Sequence, residues 1–513
     1  MKRAVIALLA ALLLSLLAVP VSALEPEQTA ESIFNYNILD DYFGFHKADP
    51  LYDGNTVFPI PFVSNASVSL SSEGGIGSLY LIFSKEYGVF SVTDLDNGEV
   101  RSFGENCFLH EYADLETAFG YAPERIKVTF VSGSGHINEM LAFTPGIPPD
   151  YVQIWEKPKD GEADIVLFST HCDDEQLFFA GLLPYYAAEM GYEVEVVYLT
   201  NHRNMTLERC HEALNGLWAV GVTNYPVFGP YSDLMSPSAE MARYYFRNQG
   251  VTEDELLGFV VENLRRFRPM VAVGHDLQGE YGHGQHMLYA DLLTKAVEIS
   301  MDPGQYPASA EKYGVWDVPK TYLHLYPENE IYMDWDQPLS SFGGMTAFQV
   351  TQKLGFPCHI TQYWDFAWYI TYAQSAASIT QYNPGEYGLY RSTVGMDTEK
   401  NDFFENVMTH AQRKAEEAEA ARLAAEEEAR RLEEQRQEEL RRAEEARKEE
   451  EERLRQEQLR AEQDRQRLQL QQEAADREQT RRRSLMIWGF AGTLTVLLLL
   501  GVVIVRLDRK NKF

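Results

Sequence analysis

Residues 164–175 read DIVLFSTHCDDE, an apolar run that leads into a histidine, a cysteine and three carboxylates. The apolar half is typical of a strand buried in a parallel sheet. A helix-like stretch, which Pro184 is expected to kink or split, leads to a second apolar run at residues 193–199, EVEVVYL. Strand, helix and strand in this order predict a βαβ unit. We therefore expect an α/β domain with a doubly wound, Rossmann-like, mostly parallel sheet.

A second polar cluster follows another short apolar run, MVAV, at residues 270–273. The cluster, GHDLQGEYGHGQH, occupies residues 274–286 and places His283 and His286 three positions apart. At a helix start such a pair shares one face and can reach one metal ion. Either cluster alone is more often structural. Both, however, follow predicted sheet strands, beyond whose carboxyl ends sites form, so together they predict a metal site of imidazole and carboxylate ligands.

Three motifs resemble those of the PIG-L/LmbE-like N-acetylglucosaminyl deacetylases. They are HCDDE at 171–175, RCHEA at 209–213 and YGHGQH at 281–286. The resemblance covers roughly residues 163–300. The stretch GLYRSTVG, residues 388–395, is similar to a branch of the family that adds a discoidin-like module.

The resemblance implies a zinc-dependent deacetylase. It assigns His171, Asp174 and His286 as Zn²⁺ ligands, which leaves a fourth position for water, as catalytic zinc sites do. Zinc lowers the pKa of bound water to about 7. Asp173, beside a ligand, is then the expected general base for attack of that water on the N-acetyl amide.

The remaining expected site residues concern the oxyanion and the substrate. His283 would stabilise the oxyanion or protonate the leaving amine, and Tyr281 would donate a further hydrogen bond to the oxyanion. The predicted substrate contacts are Arg209, His275, Asp276 and Glu280.

Two residues depart from the family pattern. Cys172 stands where the family has proline, so the loop lacks a fixed φ and gains a thiol that could oxidise or bind the metal. Gln285 stands where the family often has aspartate. An aspartate could hold a nearby histidine as imidazolium, whereas glutamine cannot do so by charge. The acid role of His283 is accordingly less secure than the metal role of His286.

The chain before this domain is β-rich. Residues 24–157 contain short alternating runs separated by Gly, Ser, Asn and Asp, which predict a small antiparallel β-sandwich. Its last runs resemble the closing strands of discoidin-like carbohydrate-binding modules, and a purely structural sandwich is the alternative. The deacetylase domain is expected to span residues 158–405.

The prediction of where the protein is located rests on the two ends of the chain. Residues 1–23 have the basic start, apolar run and small-residue end of a signal peptide. Residues 406–484 predict a charged helical stalk, solvated or weakly coiled-coil. The uncharged run 485–505 predicts a transmembrane helix, with 506–513 as a basic cytoplasmic tail. The expectation is a single-pass membrane protein with an extracytoplasmic catalytic domain.

The net charge of −32 limits the kinds of molecule that are expected to bind the protein. Such an acidic chain repels polyanions, so nucleic acid is not expected as a partner. The predicted substrate is an N-acetylated glycan or amino sugar, and a weak homo-oligomer through the stalk is an option. The alternatives are an inactive carbohydrate-binding surface protein and an amidase for another N-acyl amine. The four cysteines, Cys107, Cys172, Cys210 and Cys358, do not form a disulfide framework.

Overall fold

The computed structural model describes residues 29–487 except 34–36, 43–48, 53, 55, 57, 106–107 and 201–207. The chain forms two compact units, the first ending at Lys414 and the second beginning at Ala415. The predicted signal peptide, residues 1–23, lies outside the described residues, as does the predicted tail. The extracytoplasmic location stays a prediction.

Nine strands form two antiparallel sheets in the first part of the first unit. One sheet has the order β1-β3-β8-β5-β6 and the other the order β2-β9-β4-β7. Apolar side chains from both sheets, such as Val68, Val128 and Leu81, share one buried core, so the predicted sandwich architecture is confirmed. The strands are β1 Asn37–Tyr42, β2 Ile60–Phe62, β3 Ser67–Ser71, β4 Ser78–Phe83, β5 Phe90–Asp94, β6 Val100–Phe103, β7 His110–Asp114, β8 Arg125–Phe130 and β9 Gly135–Phe143. A short helix, α1 Leu115–Phe119, follows β7.

A seven-stranded sheet with the order β12-β11-β10-β13-β14-β16-β15 forms the rest of the unit. The first five strands in that order run parallel, and β16 and β15 add two antiparallel pairings. The sheet is therefore mixed, whereas the sequence predicted a mostly parallel sheet. The strands are β10 Ile165–Ser169, β11 Val194–Thr200, β12 Val227–Tyr231, β13 Val271–Gly274, β14 Lys320–His324, β15 Glu330–Tyr332 and β16 Glu386–Ser392.

Helices cover both faces of this sheet, which explains why its central strands are apolar throughout. Ile165 and Leu167 of β10 pack on one side with Leu217, whereas Val166 and Phe168 pack on the other with a separate helical layer. The α-helices are α2 Asp174–Leu177, α3 Glu208–Ala219, α4 Ala239–Asn248, α5 Glu253–Phe267, α6 Gly284–Ile299, α7 Pro307–Tyr313, α8 Ala347–Val350 and α9 Tyr363–Phe366.

The helical stretch after β10 is interrupted. The helix α2 ends at Leu177, and a π-helical turn, Pro184–Glu189, begins at the proline. The stretch is split, but not at Pro184 as predicted: the break is the turn at residues 178–181, where Gly181 has φ 95°, and the helical backbone runs on through Pro184.

The winding of the sheet places a crevice beside β10. From β10 the chain proceeds through β11 and β12 towards one edge, whereas β13 and β14 continue on the other side of β10. The order reverses between β10 and β13, and ligands of open α/β sheets bind at the carboxyl ends of strands at such a switch point. Both polar clusters of the sequence follow these two strands.

The predicted transmembrane helix is contradicted. Among the described residues, no helix combines the length and the apolar character needed to cross a bilayer. The long C-terminal helix, α10 His410–Ile487, is present but highly polar, and its described leucines, such as Leu432 and Leu440, are exposed. The predicted span, residues 485–505, lies outside the described residues from residue 488 onward. The membrane anchor is therefore not retained.

Candidate metal centre and active site

The loop after β10 folds back on its own acidic residues. The His171 backbone N–H donates to Asp174 Oδ2 at 2.8 Å. The Thr170 N–H donates to Nε2 of His275, which follows β13, at 2.9 Å. These two bonds fix the loop against the neighbouring strand and turn the side chains of His171 and Asp174 to the same side.

Three buried donor atoms meet at the switch point. His171 Nδ1 lies 3.1 Å from Asp174 Oδ2 and 3.1 Å from His286 Nε2. The third side of the triangle, between His286 Nε2 and Asp174 Oδ2, measures 3.2 Å. All three side chains are buried, and they come from the β10 loop and the first turn of α6.

This triangle fits a metal ion. Tetrahedral zinc with ligands at about 2.0–2.1 Å separates neighbouring donor atoms by about 3.3 Å. The three measured separations lie close to that edge, and two imidazoles with one carboxylate are a donor set that zinc accepts. The same donors recur in two groups that could hold an ion, His171 with His283 and His286, and Asp174 with His275 and His286. Neither group includes Cys172, whose side chain is fully buried.

The outward nitrogen of each imidazole is bound by an acceptor. His286 Nδ1 donates to Glu280 Oε2 at 2.8 Å. His171 Nε2 donates to Gln285 Oε1 at 3.0 Å and lies 3.3 Å from Asp233 Oδ1. Such partners select the tautomer whose other nitrogen is free to bind a metal. Gln285 thus orients His171, a role that its sequence position did not reveal.

Gln285 is itself held in one orientation. Its side-chain nitrogen donates to the Ser232 carbonyl at 2.9 Å, and its Oε1 accepts the Leu234 N–H at 3.0 Å. The amide oxygen must therefore face His171. This residue connects the loop after β12 to the metal-binding side chains.

Glu280 is the acceptor shared by three histidines. Its Oε2 accepts from His275 Nδ1 and His286 Nδ1, both at 2.8 Å, and its Oε1 accepts from His324 Nδ1 at 2.7 Å. Burial alone would raise the pKa of this fully buried carboxyl, but His275 and the other facing imidazoles hold it well below its usual value. Glu280 therefore stays ionised and fixes rings from three separate elements.

The field at the triangle favours a cation. Burial lowers the pKa of His171, but Asp233 and Asp174 outweigh it and raise that pKa well above its usual value. Against the same burial, Asp174 and then Glu280 raise the pKa of His286 to about 9. The carboxylates thus draw positive charge onto the two imidazoles. A metal ion would take the place of those protons, since ligating histidine must be neutral.

Asp173 is not one of the triangle's donors and is held by neighbouring groups instead. Its backbone has φ 147°, its N–H donates to Glu175 Oε2 at 2.9 Å, and its Oδ1 lies 3.2 Å from Arg209 Nη2. Burial raises the pKa of Asp173 to about 7, although Arg209 opposes the shift. Glu175 in turn faces buried His359 at 3.1 Å, so it supports the loop.

The rings of His283 and Tyr281 also lie next to the residues of the triangle. The His283 ring centroid lies 4.7 Å from those of His171 and His286, and its Nδ1 accepts the Gln285 N–H. Burial and the neighbouring imidazoles lower the pKa of His283 to about 2. The ring is therefore neutral and carries its proton on Nε2. The Tyr281 ring lies 5.5 Å from both His283 and His286, and burial raises its pKa.

Two of the predicted substrate contacts are not placed as expected. His275 and Glu280 are fully buried and bonded to protein groups. Arg209 donates to the Cys172 carbonyl at 2.6 Å and lies beside Asp173. Asp276 accepts the Gln278 N–H and donates its own N–H to Glu280. His275 and Glu280 are therefore supports of the site. Arg209, whose buried Nε has no hydrogen-bond partner among the described residues, and half-buried Asp276 stay predicted substrate contacts.

Two further residues escaped the sequence prediction. Asp233 follows β12, and His324 is the last residue of β14. Both lie at the carboxyl ends of parallel strands, and this position was the signal that could have identified them.

The fold and the donor set define an α/β domain with a buried group of side chains at its switch point that could hold a metal ion. Residues 166–297 match the family model for PIG-L, GlcNAc-PI de-N-acetylase. A relative from Catenulispora acidiphila, 1D-myo-inositol 2-acetamido-2-deoxy-alpha-D-glucopyranoside deacetylase 1, is 28% identical over 213 residues, 37% of this chain and 64% of the relative. A second deacetylase of the same name, from Streptomyces avermitilis, is 28% identical over 32% of this chain and 61% of its own.

Among solved structures, the N,N'-diacetylchitobiose deacetylase of Pyrococcus horikoshii is 17% identical, with a TM-score of 0.28 over 44% of this chain and 83% of its own. The chain spans about three fifths of the length of the two curated relatives. The resemblance of the α/β domain to the PIG-L family is confirmed.

Proposed function

We propose that this chain is a zinc-dependent amide hydrolase that removes the N-acetyl group from an N-acetylglucosamine-type sugar. The observation that carries the proposal is the buried triangle of His171, Asp174 and His286, with a second carboxylate on Asp173, the neighbour of Asp174 in the chain. Three protein ligands and an adjacent base are the parts that metal-assisted amide hydrolysis needs. The similarity of residues 166–297 to sugar deacetylases supports the choice of an acetylated amino sugar.

His171, Asp174 and His286 would hold the ion. When bound, zinc supplies Lewis acidity that polarises a carbonyl and makes water more acidic. The chain's own residues then move the protons. Asp173 accepts a proton from the attacking water and passes it to the departing amine, so the products are acetate and a free amino sugar. Arg209 holds the Asp173 carboxylate in place during this exchange.

His283 has a narrower role than expected. Burial, and after it the neighbouring imidazoles, lowers the pKa of His283, which favours the neutral ring over an imidazolium acid. Its Nε2–H can donate a hydrogen bond to the oxyanion of the tetrahedral intermediate. Of the two roles expected for His283, the proposal therefore retains oxyanion stabilisation, with Tyr281 as a second donor.

The overall charge is consistent with this product. A chain of net charge −32 attracts the cationic amine that deacetylation releases more than it attracts anionic polymers. The intact donor set argues against an inactive binding protein. An amidase for another N-acyl amine would use the same centre. The two activities, sugar deacetylase and amidase, are distinguished by which substrates release their acyl group.

The test measures acetate release from a panel of N-acetylated amino sugars and from simple N-acyl amines, together with metal content. We expect about one zinc per chain and acetate from the sugars. His286→Ala should lower both quantities sharply, whereas His136→Ala, a change to a half-buried histidine of β9, should lower neither. Full metal content in His286→Ala would refute the ligand set, and release from the amines alone would refute the sugar substrate.

A further inference from the structure

Three large aromatic side chains are exposed on one short segment. Trp364 is 80% exposed, Trp368 59% and Tyr372 72%. They recur every four residues, which places them on one side of a helical stretch that begins with α9. Exposed apolar surface of this kind marks a binding site more often than it marks free surface.

The opposite side of the segment packs against the metal centre. The Tyr369 ring lies 5.5 Å from Phe178, and the Phe366 ring lies 5.7 Å from Tyr281. Phe178 lies in turn 5.8 Å from the His286 ring. Two layers of side chains therefore separate the exposed aromatics from the donor triangle, and Tyr369, which also lines the cavity described below, belongs to the outer of the two.

The segment is held rigidly at both ends. At its start, the Thr361 N–H and hydroxyl both donate to the Glu212 carboxylate at 2.7 Å. At its end, Gln352 Nε2 donates to the carbonyls of Ile370 and Ala373 at 2.8 Å. Tyr369 fixes the middle through a hydrogen bond to the Tyr382 carbonyl. A surface held in this way binds without an ordering cost, as preorganised sites do.

A cavity of about 350 Å³ lies beside Trp368 and Tyr372, within the range of small-molecule sites. Aromatic rings form one part of its lining, and amides and hydroxyls form another. Among the described residues that line it, none carries a charge: Trp368, Tyr369, Tyr372, Ala373, Gln374, Ser378, Ile379, Thr380 and Gln381. Such a lining suits a neutral ligand that has both an apolar face and many hydroxyl groups.

We propose that Trp364, Trp368 and Tyr372 bind the sugar units that flank the acetylated sugar, so that the substrate is an oligomeric or polymeric glycan. A pyranose ring presents C–H groups on its face and hydroxyls at its edge, which match aromatic faces and neutral hydrogen-bonding groups. The spacing supports more than one unit, because successive helical turns rise by about 5.4 Å. This inference rests on the proposed function.

A lipid surface is the competing occupant, since tryptophan and tyrosine also favour membrane interfaces. The net charge of −32 opposes it, because biological membrane surfaces are anionic. The lack of charged residues around the cavity opposes it too, since lipid recognition through headgroups uses basic clusters. A glycan is therefore the occupant that the structure favours.

The experiment compares the full chain with the double variant Trp364→Ala/Trp368→Ala and the control Tyr244→Ala. Tyr244 is an exposed tyrosine of α4, 49% accessible. The kcat/KM is measured for N-acetylglucosamine and its β-1,4-linked oligomers of two to six units. In the wild type and the control we expect kcat/KM for the tetramer to exceed that for the monomer by at least about fivefold. In the double variant the ratio should fall to near one.

Direct binding separates this inference from the proposed function. Calorimetric titration with the tetramer uses the Asp173→Asn background, in which hydrolysis is blocked, with and without the two tryptophan changes. Loss of affinity with the changes supports the aromatic site even if no sugar releases acetate, and in that case the proposed function alone fails. If the sugars release acetate but kcat/KM in the wild type does not rise with oligomer length, the aromatic site is refuted and the proposed function stands. If the two tryptophan changes abolish binding to phosphatidylcholine vesicles but leave glycan binding unchanged, the aromatic site is refuted in favour of a lipid surface.

Discussion

Replacement of Glu280 tests whether one buried carboxylate fixes the metal-binding geometry. Three imidazole N–H groups, of His275, His286 and His324, donate to it. A buried donor left without an acceptor costs about 1–3 kcal/mol. Because the Asp276 N–H also donates to this carboxylate, Glu280→Ala leaves four such donors and should cost roughly 4–12 kcal/mol, comparable with a total stability of about 5–15 kcal/mol. That variant is expected to fold poorly, so the informative change is the milder one.

Glu280→Gln keeps one oxygen. That oxygen can serve the two histidines that share Oε2. The amide nitrogen then faces the two donors of Oε1, His324 Nδ1–H and the Asp276 N–H, and leaves both unsatisfied. The expected loss in the free energy of unfolding is therefore about 2–6 kcal/mol. Weaker orientation of His286 should also reduce zinc affinity by about 10–100-fold. Urea unfolding and competition with a chelating dye measure the two quantities.

The control is Glu330→Gln, which changes an exposed glutamate of β15 in the same way. It should alter neither stability nor zinc affinity. If Glu280→Gln retains wild-type zinc affinity while losing stability, Glu280 supports only the fold, and its role in orienting His286 is refuted.

Three further predictions address other parts of the protein. Asp173→Asn should keep the fold and the metal but lower the rate of acetate release by about 10²–10⁴-fold, and near-normal turnover would exclude it as the base. Burial lowers the pKa of His211 from 6.5 to about 4 in the folded protein. As the pH falls, the unfolded chain therefore binds a proton at this residue before the folded chain does. Stability should therefore fall as the pH drops from 6.5 to 4, by up to roughly 3 kcal/mol, and urea unfolding of His211→Gln should show a smaller pH dependence. Cys172 is fully buried and should react with a thiol reagent only after unfolding.

The sequence predicted those parts of the fold that hydrophobic patterning determines. The runs of β4, β8, β10 and β11 are apolar enough to identify as strands, and each is a strand in the structure. The antiparallel β16 was not anticipated, because strand direction depends on the connection between strands. The uncharged run near the C-terminus predicted a membrane helix from hydropathy alone. Most of that run lies outside the described residues, among which no helix is long and apolar enough to cross a bilayer.

At the site, motif spacing predicted which side chains meet but could not predict their hydrogen-bond partners. Glu280 was expected to bind substrate because it precedes the YGHGQH motif. Its actual partners come from β13, α6 and β14, which only tertiary packing brings together. Gln285 was recorded only as a departure from the family. Its role in orienting His171 depends on the loop after β12, which is distant in sequence.

The strained backbone of Asp173 explains how two adjacent carboxylates acquire different roles. A non-glycine residue at φ 147° costs on the order of 1–3 kcal/mol and persists only where its surroundings enforce it. Here Glu175 accepts the Asp173 N–H and Arg209 binds both its carboxylate and the Cys172 carbonyl. This conformation directs Asp174 into the donor triangle and Asp173 out of it. We infer that the Arg209 bond to Cys172 supplies the loop constraint for which the family uses proline, so a cysteine is tolerated there.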